Sequence, residues 1–126
     1  REEFAPLGGY RRMGLLSKQG SRIRNWKTRM FVLHGCFLYY FKLPTGVSPA
    51  TPNEVMAKGE LCGVISVHKS TIKVVKDHFG IKLEQVPGSG DKELNLRCPS
   101  AVEQSGWVEA LNDAVRGGDS GDEGDA

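Results

Sequence analysis

This sequence predicts a mainly β domain: seven short antiparallel strands closed into a barrel or sandwich and capped by one C-terminal α-helix. Three observations lead there. Short runs alternate apolar and polar residues between turn residues, as in Leu94, Leu96, Cys98 against Glu93, Asn95, Arg97. The period lengthens to that of a helix once, after Pro99, where Ser100 and Glu103 stand at capping-box spacing. The segments differ too much in length and pattern to be internal repeats, and short strands at this spacing argue for a twisted antiparallel sandwich or barrel.

The elements follow in order. Residues 10–18 form the first strand, and residues 19–25 a turn bearing Gly20, Ser21, Arg22 and Arg24. Residues 26–33 and 36–41 form a hairpin with His34-Gly35 as its two-residue loop. Leu33 then pairs with Cys36, Phe31 with Leu38, Arg29 with Tyr40 and Lys27 with Lys42, and opposite residues share a face. An odd-length loop would shift that pairing. One face therefore runs from an apolar interior at Leu33 and Phe31 to a cationic mouth at Arg29 and Lys27, joined by Lys18 from the first strand. Residues 43–53, rich in Pro, Ser and Thr, read as a long exposed loop. Residues 58–64 form a fourth strand whose glycines signal a bend or bulge. Residues 70–76, 79–86 and 92–98 form the last three strands, with residues 87–91 as a turn. The helix presents Trp107, Leu111, Ala114 and Val115 on one face and ends at Gly117-Gly118. Gly106, in its interior, costs up to about 1 kcal/mol relative to alanine, and close packing is the expected reason for it.

A chain of 126 residues suffices for one domain with a modest core. Its net charge is only +2, yet from Arg11 to Asn53 every charged residue is basic: Arg11, Arg12, Lys18, Arg22, Arg24, Lys27, Arg29 and Lys42. A one-signed block in a near-neutral chain points to a localised anionic partner. The three cysteines are odd in number and widely spaced, which fits reduced thiols better than a disulfide framework, and no metal-ligand spacing appears. No apolar run approaches the roughly 20 residues of a membrane span. Residues 1–9 read as a linker, 10–117 as the folded domain and 118–126 as an acidic disordered tail, so the chain is expected to be a domain excised from a longer protein.

No nucleophile elbow, phosphate-cradling loop or metal motif is present, so an enzyme is the least expected class, and no cofactor is expected. A nucleic-acid binder is disfavoured by the modest total charge and the lack of interleaved aromatics. The serious rival to an anion-binding module is a domain that binds a protein or peptide partner at a sheet edge or at its helix. Under that reading binding survives Arg29→Ala. Trp26 and Trp107 are expected to pack rather than to hold ligand.

Seven strands and a C-terminal helix with an inward Trp resemble the pleckstrin homology (PH) domain over about residues 10–116. The first hairpin carries the specific part: Lys18-Gln19-Gly20, then Arg22 and Arg24, Trp26-Lys27-Thr28-Arg29, Phe31-Val32-Leu33 and Leu38-Tyr39-Tyr40. This spacing is similar to that of cytohesin-type, phosphoinositide-binding PH domains. The resemblance implies that Lys18 and Arg29 grip the 3-phosphate of an inositol headgroup, and that Tyr40 donates its hydroxyl to the 4-phosphate. Lys27 would touch the ring or a neighbouring phosphate, and Arg22 and Arg24 would lie near the 5-phosphate. Lys58, just before Gly59, matches a basic position that contacts the 4-phosphate, and Ile23 an apolar loop tip that enters the lipid interface. It further implies a monomeric, cytoplasmic module, peripheral at the plasma membrane. Three departures stand out: Met30 where an aromatic is common, a short turn over residues 86–92, and the insertion at 43–53, which is expected to border the mouth.

Overall fold

The computed structural model describes residues 9–20, 23–68, 70–84 and 93–117. The order is β1 Arg12–Gln19, β2 Trp26–His34, β3 Phe37–Lys42, α1 Pro52–Lys58, β4 Glu60–Ser66, β5 Thr71–Val75, a 3₁₀ turn Asp77–Phe79, β6 Gly80–Glu84, β7 Glu93–Arg97 and α2 Ala101–Val115. All seven strands join one antiparallel sheet in the order β4-β3-β2-β1-β7-β6-β5. This is the predicted class: seven strands and a C-terminal helix. The expected linker, apart from Gly9, and the acidic tail lie outside the described residues.

β1 is the seam of the sheet. It pairs with β2 along its whole length and with β7 only at Ser17 and Lys18. Lys18 thus has a strand neighbour on each side, Lys27 and Leu96, at the point where the sheet folds over. Inside the fold, Leu16, Phe31, Leu33, Leu38, Ile81, Leu83, Leu94 and Leu96 form the core, and Trp107, Leu111 and Ala114 close it from α2. Trp107 has no exposed surface, as expected of a plug.

The β2–β3 register differs from the expected one. Leu33 pairs with Leu38, Phe31 with Tyr40 and Met30 with Phe41, and the two turn residues are Gly35 and Cys36. Gly35 takes the first central position at φ +60, where type II′ hairpin turns carry glycine. A His34-Gly35 loop would instead have put a histidine at that position. Moving the loop by one residue slides the two strands by two relative positions. Side chains alternate with period two, so every residue keeps its face although Arg29 loses Tyr40 as its direct partner.

Residues 43–53 do not end in a plain loop. Thr51 caps α1, with the Glu54 N–H donating to Thr51 Oγ1 at 3.2 Å, and Glu54 Oε1 accepts from the Ala50 N–H at 2.6 Å. Pro52 stands in the first turn, where its missing N–H costs nothing. α1 buries Val55 against Met30, Val32 and Phe41. Those residues lie on the face opposite Phe31 and Arg29, so the insertion covers the outside of the sheet and does not border the mouth. Met30 fits this second, smaller core as a flexible filler.

Helix α2 is tied down at two points. Gln104 Nε2 donates to the carbonyls of Val75 at 3.0 Å and Gly80 at 2.9 Å, clamping the β5–β6 turn. That turn holds His78 and Phe79 at positive φ, and Phe79 is exposed rather than beginning the sixth strand's alternation. At the N-terminal end the Glu103 N–H donates to Ser100 Oγ at 3.2 Å, the expected cap. The Glu103 carboxylate, expected to reach back to the cap, instead pairs with Arg12 Nη2 at 3.1 Å. The Arg12 guanidinium lies 5.6 Å from the centre of the Trp107 ring and directly over Gly106, where a Cβ would come within 2.5 Å of it. The helix glycine is the seat of an arginine.

This packing predicts a sign reversal. In the wild type, Gly106→Ala displaces Arg12 from Glu103 and Trp107, and is expected to destabilise by about 1 kcal/mol despite the better helix propensity. With Arg12→Ala already in place, the same change is expected to stabilise by about 0.5–1 kcal/mol. Denaturant melts of the four proteins of this cycle check both signs.

Candidate anion-binding site

The cationic mouth is a cavity of about 270 Å³ lined by Lys18, Gly20, Ile23, Asn25, Lys27, Arg29, Tyr40 and Cys62. The β1–β2 ladder makes Lys18 and Lys27 direct partners and sets Arg29 opposite Leu16, two pairs nearer the core and on the same face. On β3, Tyr40 stacks on Phe31 with ring centres 5.3 Å apart. The Lys18 ammonium stands over the Tyr40 ring at 5.2 Å. Lys18 Nζ also donates to the Gln19 carbonyl at 3.4 Å, and Arg29 Nη1 to the Thr28 carbonyl at 2.9 Å.

These charges have no acidic partner among the described residues. Among the described residues, ion pairs join Arg12 to Glu103, Lys73 to Glu84, Lys82 to Glu93 and Arg116 to Asp113, and none involves Lys18, Lys27 or Arg29. Like charges directly opposite in a sheet are destabilising. Burial, and then the Arg29 charge, lower the Lys18 pKa from its ordinary value. Burial raises that of Tyr40, whose phenol is a hydrogen-bond donor at neutral pH in any case. The three cations and the hydroxyl line one cavity, a donor set whose chemistry suits an anion with several oxygens.

The β1–β2 loop closes with the Gly20 N–H donating to the Asn25 carbonyl at 2.9 Å. A Cβ on Gly20 would meet the Ile23 carbonyl oxygen at 2.3 Å, so this glycine serves the loop's own closure. Ile23 projects at the tip, 73% exposed. Arg24 lines a neighbouring cleft with Lys18, Gln19, Gly20, Glu93, Leu94 and Asn95. Arg22 lies outside the described residues. Lys58 is an exposed residue in the last turn of α1 and does not line the cavity. The β4 residue that does is Cys62, which the sequence reading did not select. It is the extra residue of a β-bulge, since Tyr40 pairs with Gly63 but Phe41 with Leu61. The second glycine of the fourth strand was the available signal: the residue before Gly63, and not the one before Gly59, faces the mouth. Trp26 packs under Arg97, whose guanidinium is 3.8 Å from its ring centre, rather than in the cavity.

Among the described residues, no group of three His, Cys, Asp or Glu side chains is placed to hold a metal ion, and no helix is long and apolar enough to cross a membrane.

The family model "PH domain" matches residues 10–116. The chain belongs to the PH domain family. Mouse pleckstrin is 32% identical over 120 residues, which are 94% of this chain and 32% of pleckstrin, so the chain spans about a third of that relative's length. Mouse cytohesin-4 is 24% identical over 125 residues, covering 82% of this chain and 29% of cytohesin-4. Among solved structures, the C-terminal PH domain of pleckstrin in complex with D-myo-Ins(1,2,3,5,6)P5 superposes with a TM-score of 0.66, covering 86% of this chain and 98% of that one at 23% identity. At that identity the likeness shows a shared PH fold.

The uncompensated charge has a measurable consequence. Lys18→Met is expected to leave the free PH domain as stable as wild type or up to about 0.5 kcal/mol more stable, with a smaller gap at high salt. The folded-state pKa of Lys18 is lowered, so the unfolded chain holds its proton more tightly. The penalty is present at neutral pH and relieved as pH rises through the lowered Lys18 pKa. Thermal melts across neutral to alkaline pH should show the two proteins converging.

Proposed function

We propose that this PH domain binds the headgroup of a phosphoinositide in the Lys18–Arg29–Tyr40 cavity and so recruits the protein that carries it to membranes. The observation that carries this reading is the convergence of three carboxylate-free cations and a protonated tyrosine hydroxyl on one open cavity. The inositol pentakisphosphate bound to the C-terminal PH domain of pleckstrin supports the ligand class.

The preferred ligand carries a 3-phosphate, with phosphatidylinositol 3,4,5-trisphosphate first and the 3,4-bisphosphate close behind. The cytohesin-type spacing of the first hairpin supports that preference. Lys18 and Arg29 take the 3-phosphate, Tyr40 donates to the 4-phosphate, and Lys27 contacts the ring or an adjacent phosphate. Arg22 and Arg24 serve the 5-phosphate. Lys58, off the cavity wall, is left out of the headgroup contacts. The domain acts as a monomer at the cytoplasmic face of the plasma membrane. Each basic side chain near an anionic leaflet adds roughly 1 kcal/mol. Ile23 adds about 1.5–3 kcal/mol if its side chain is fully buried in the interface. Electrostatics thus dominate capture, and Ile23 prolongs residence.

Calorimetric titration with the soluble 1,3,4,5-, 1,3,4- and 1,4,5-inositol phosphates at fixed salt tests the reading. Saturable binding ordered by the 3-phosphate is expected, with Arg29→Ala costing about 1.5–3 kcal/mol, at least tenfold in affinity. Absence of binding to every headgroup, with the variant indistinguishable from wild type, overturns it.

Ile23→Glu is expected to weaken binding to liposomes containing the lipid while leaving soluble-headgroup affinity unchanged. Equal losses in the two assays would rule out insertion of the tip.

A further inference from the structure

We infer that Gly63 is a positioning residue for the anion cavity: it seats Tyr40, and through Tyr40 it places Lys18. The inference rests on the headgroup reading above and adds to it a residue that touches no ligand.

Tyr40 and Gly63 are direct partners across the β3–β4 ladder. A Cβ built on Gly63 would lie 2.4 Å from the Tyr40 hydroxyl oxygen, 2.6 Å from Cζ and 2.9 Å from Cε1. All three contacts fall on the far end of one ring, so the phenol lies across the bare glycine backbone. Phe31 holds the same ring by stacking at 5.3 Å, and the Lys18 ammonium stands over it at 5.2 Å. The bulge at Cys62 makes this alignment, because it changes the pairing between Tyr40 and Phe41 and brings Gly63 under the tyrosine.

Any side chain at position 63 must therefore move the ring. Ordinary contact begins near 3.4 Å, so a methyl group requires the hydroxyl to retreat by about 1 Å. Phe31 blocks retreat toward the core, since it is fully buried and stacked on the ring. The ring must swing toward the cavity mouth, and Lys18 must leave its place above it. The hydroxyl has no hydrogen-bond partner among the described residues, so its position is set by packing alone. A displacement of this size is enough to spoil convergent binding geometry.

The test is a cycle on the intact domain with inositol 1,3,4,5-tetrakisphosphate as the probe, read by calorimetry. Gly63→Ala is expected to weaken binding about tenfold with little change in melting temperature. In the Tyr40→Ala background, where no ring stands over residue 63, the same substitution should change affinity by less than twofold. Proton NMR supplies a ligand-free arm: the Lys18 ε-methylene resonance, shifted upfield by the Tyr40 ring, should move downfield in Gly63→Ala. An equal loss in both backgrounds, or an unmoved Lys18 resonance, overturns the inference while leaving the headgroup reading intact if Arg29→Ala still weakens binding at least tenfold. A wild type that binds no headgroup overturns that reading and the role of Gly63 in binding with it. The NMR arm then still reports whether Gly63 seats the ring.

Discussion

The constraint on which the site depends is the parity of β2 and β3. Residues two apart share a face, and that face is continuous from Leu33 through Phe31 to Arg29 and Lys27. Its first half is fully buried, and its second half lines an open cavity. The strand does not change conformation between the two. It simply runs past the end of the core, and the next side chains on the same face line the open cavity. Phe31 marks the border, packed in the core on one side and stacked on Tyr40 on the other.

The treatment of the basic residues shows which are structural. Arg12 is seated on Gly106, paired with Glu103 and stacked near Trp107. Its charge is consumed by the fold. Lys18, Lys27 and Arg29 face one another without a carboxylate, and Lys18 bears a lowered pKa because of burial and Arg29. A sequence that specifies a fold consistently at every level departs from consistency at functional sites. By that criterion the departure sits at the cavity, where like charges face one another.

Much of this was legible in the sequence, and the failures have specific causes. Face assignments survived because parity survives a slip of two, although the turn was placed one residue early and the partner of Tyr40 was therefore wrong. The cap at Ser100 was legible because capping is local, whereas the use of Glu103 depends on Arg12, ninety-one residues away. Helix α1 was hidden by its Pro- and Ser-rich approach, even though Thr51-Pro52-Asn53-Glu54 carries the spacing of a capping box. The choice between Lys58 and Cys62 turned on which of two glycines faces Tyr40. A bulge decides that, and a bulge is a property of two strands, not of one.

The insertion before β4 gains its meaning from the same parity. Expected to border the mouth, it folds into α1 on the opposite face and buries Val55 with Met30, Val32 and Phe41. Met30 and Phe41 are the nearest neighbours in sequence of Arg29 and Tyr40, and they point the other way. Packing on the outer face therefore fixes the backbone positions from which the cavity side chains project. The mouth then keeps an asymmetric wall: Lys18, Lys27 and Arg29 on β1 and β2, and Tyr40 and Cys62 on β3 and β4. The proposed headgroup orientation uses that asymmetry, with Lys18 and Arg29 on one side of the cavity and the Tyr40 hydroxyl on the other.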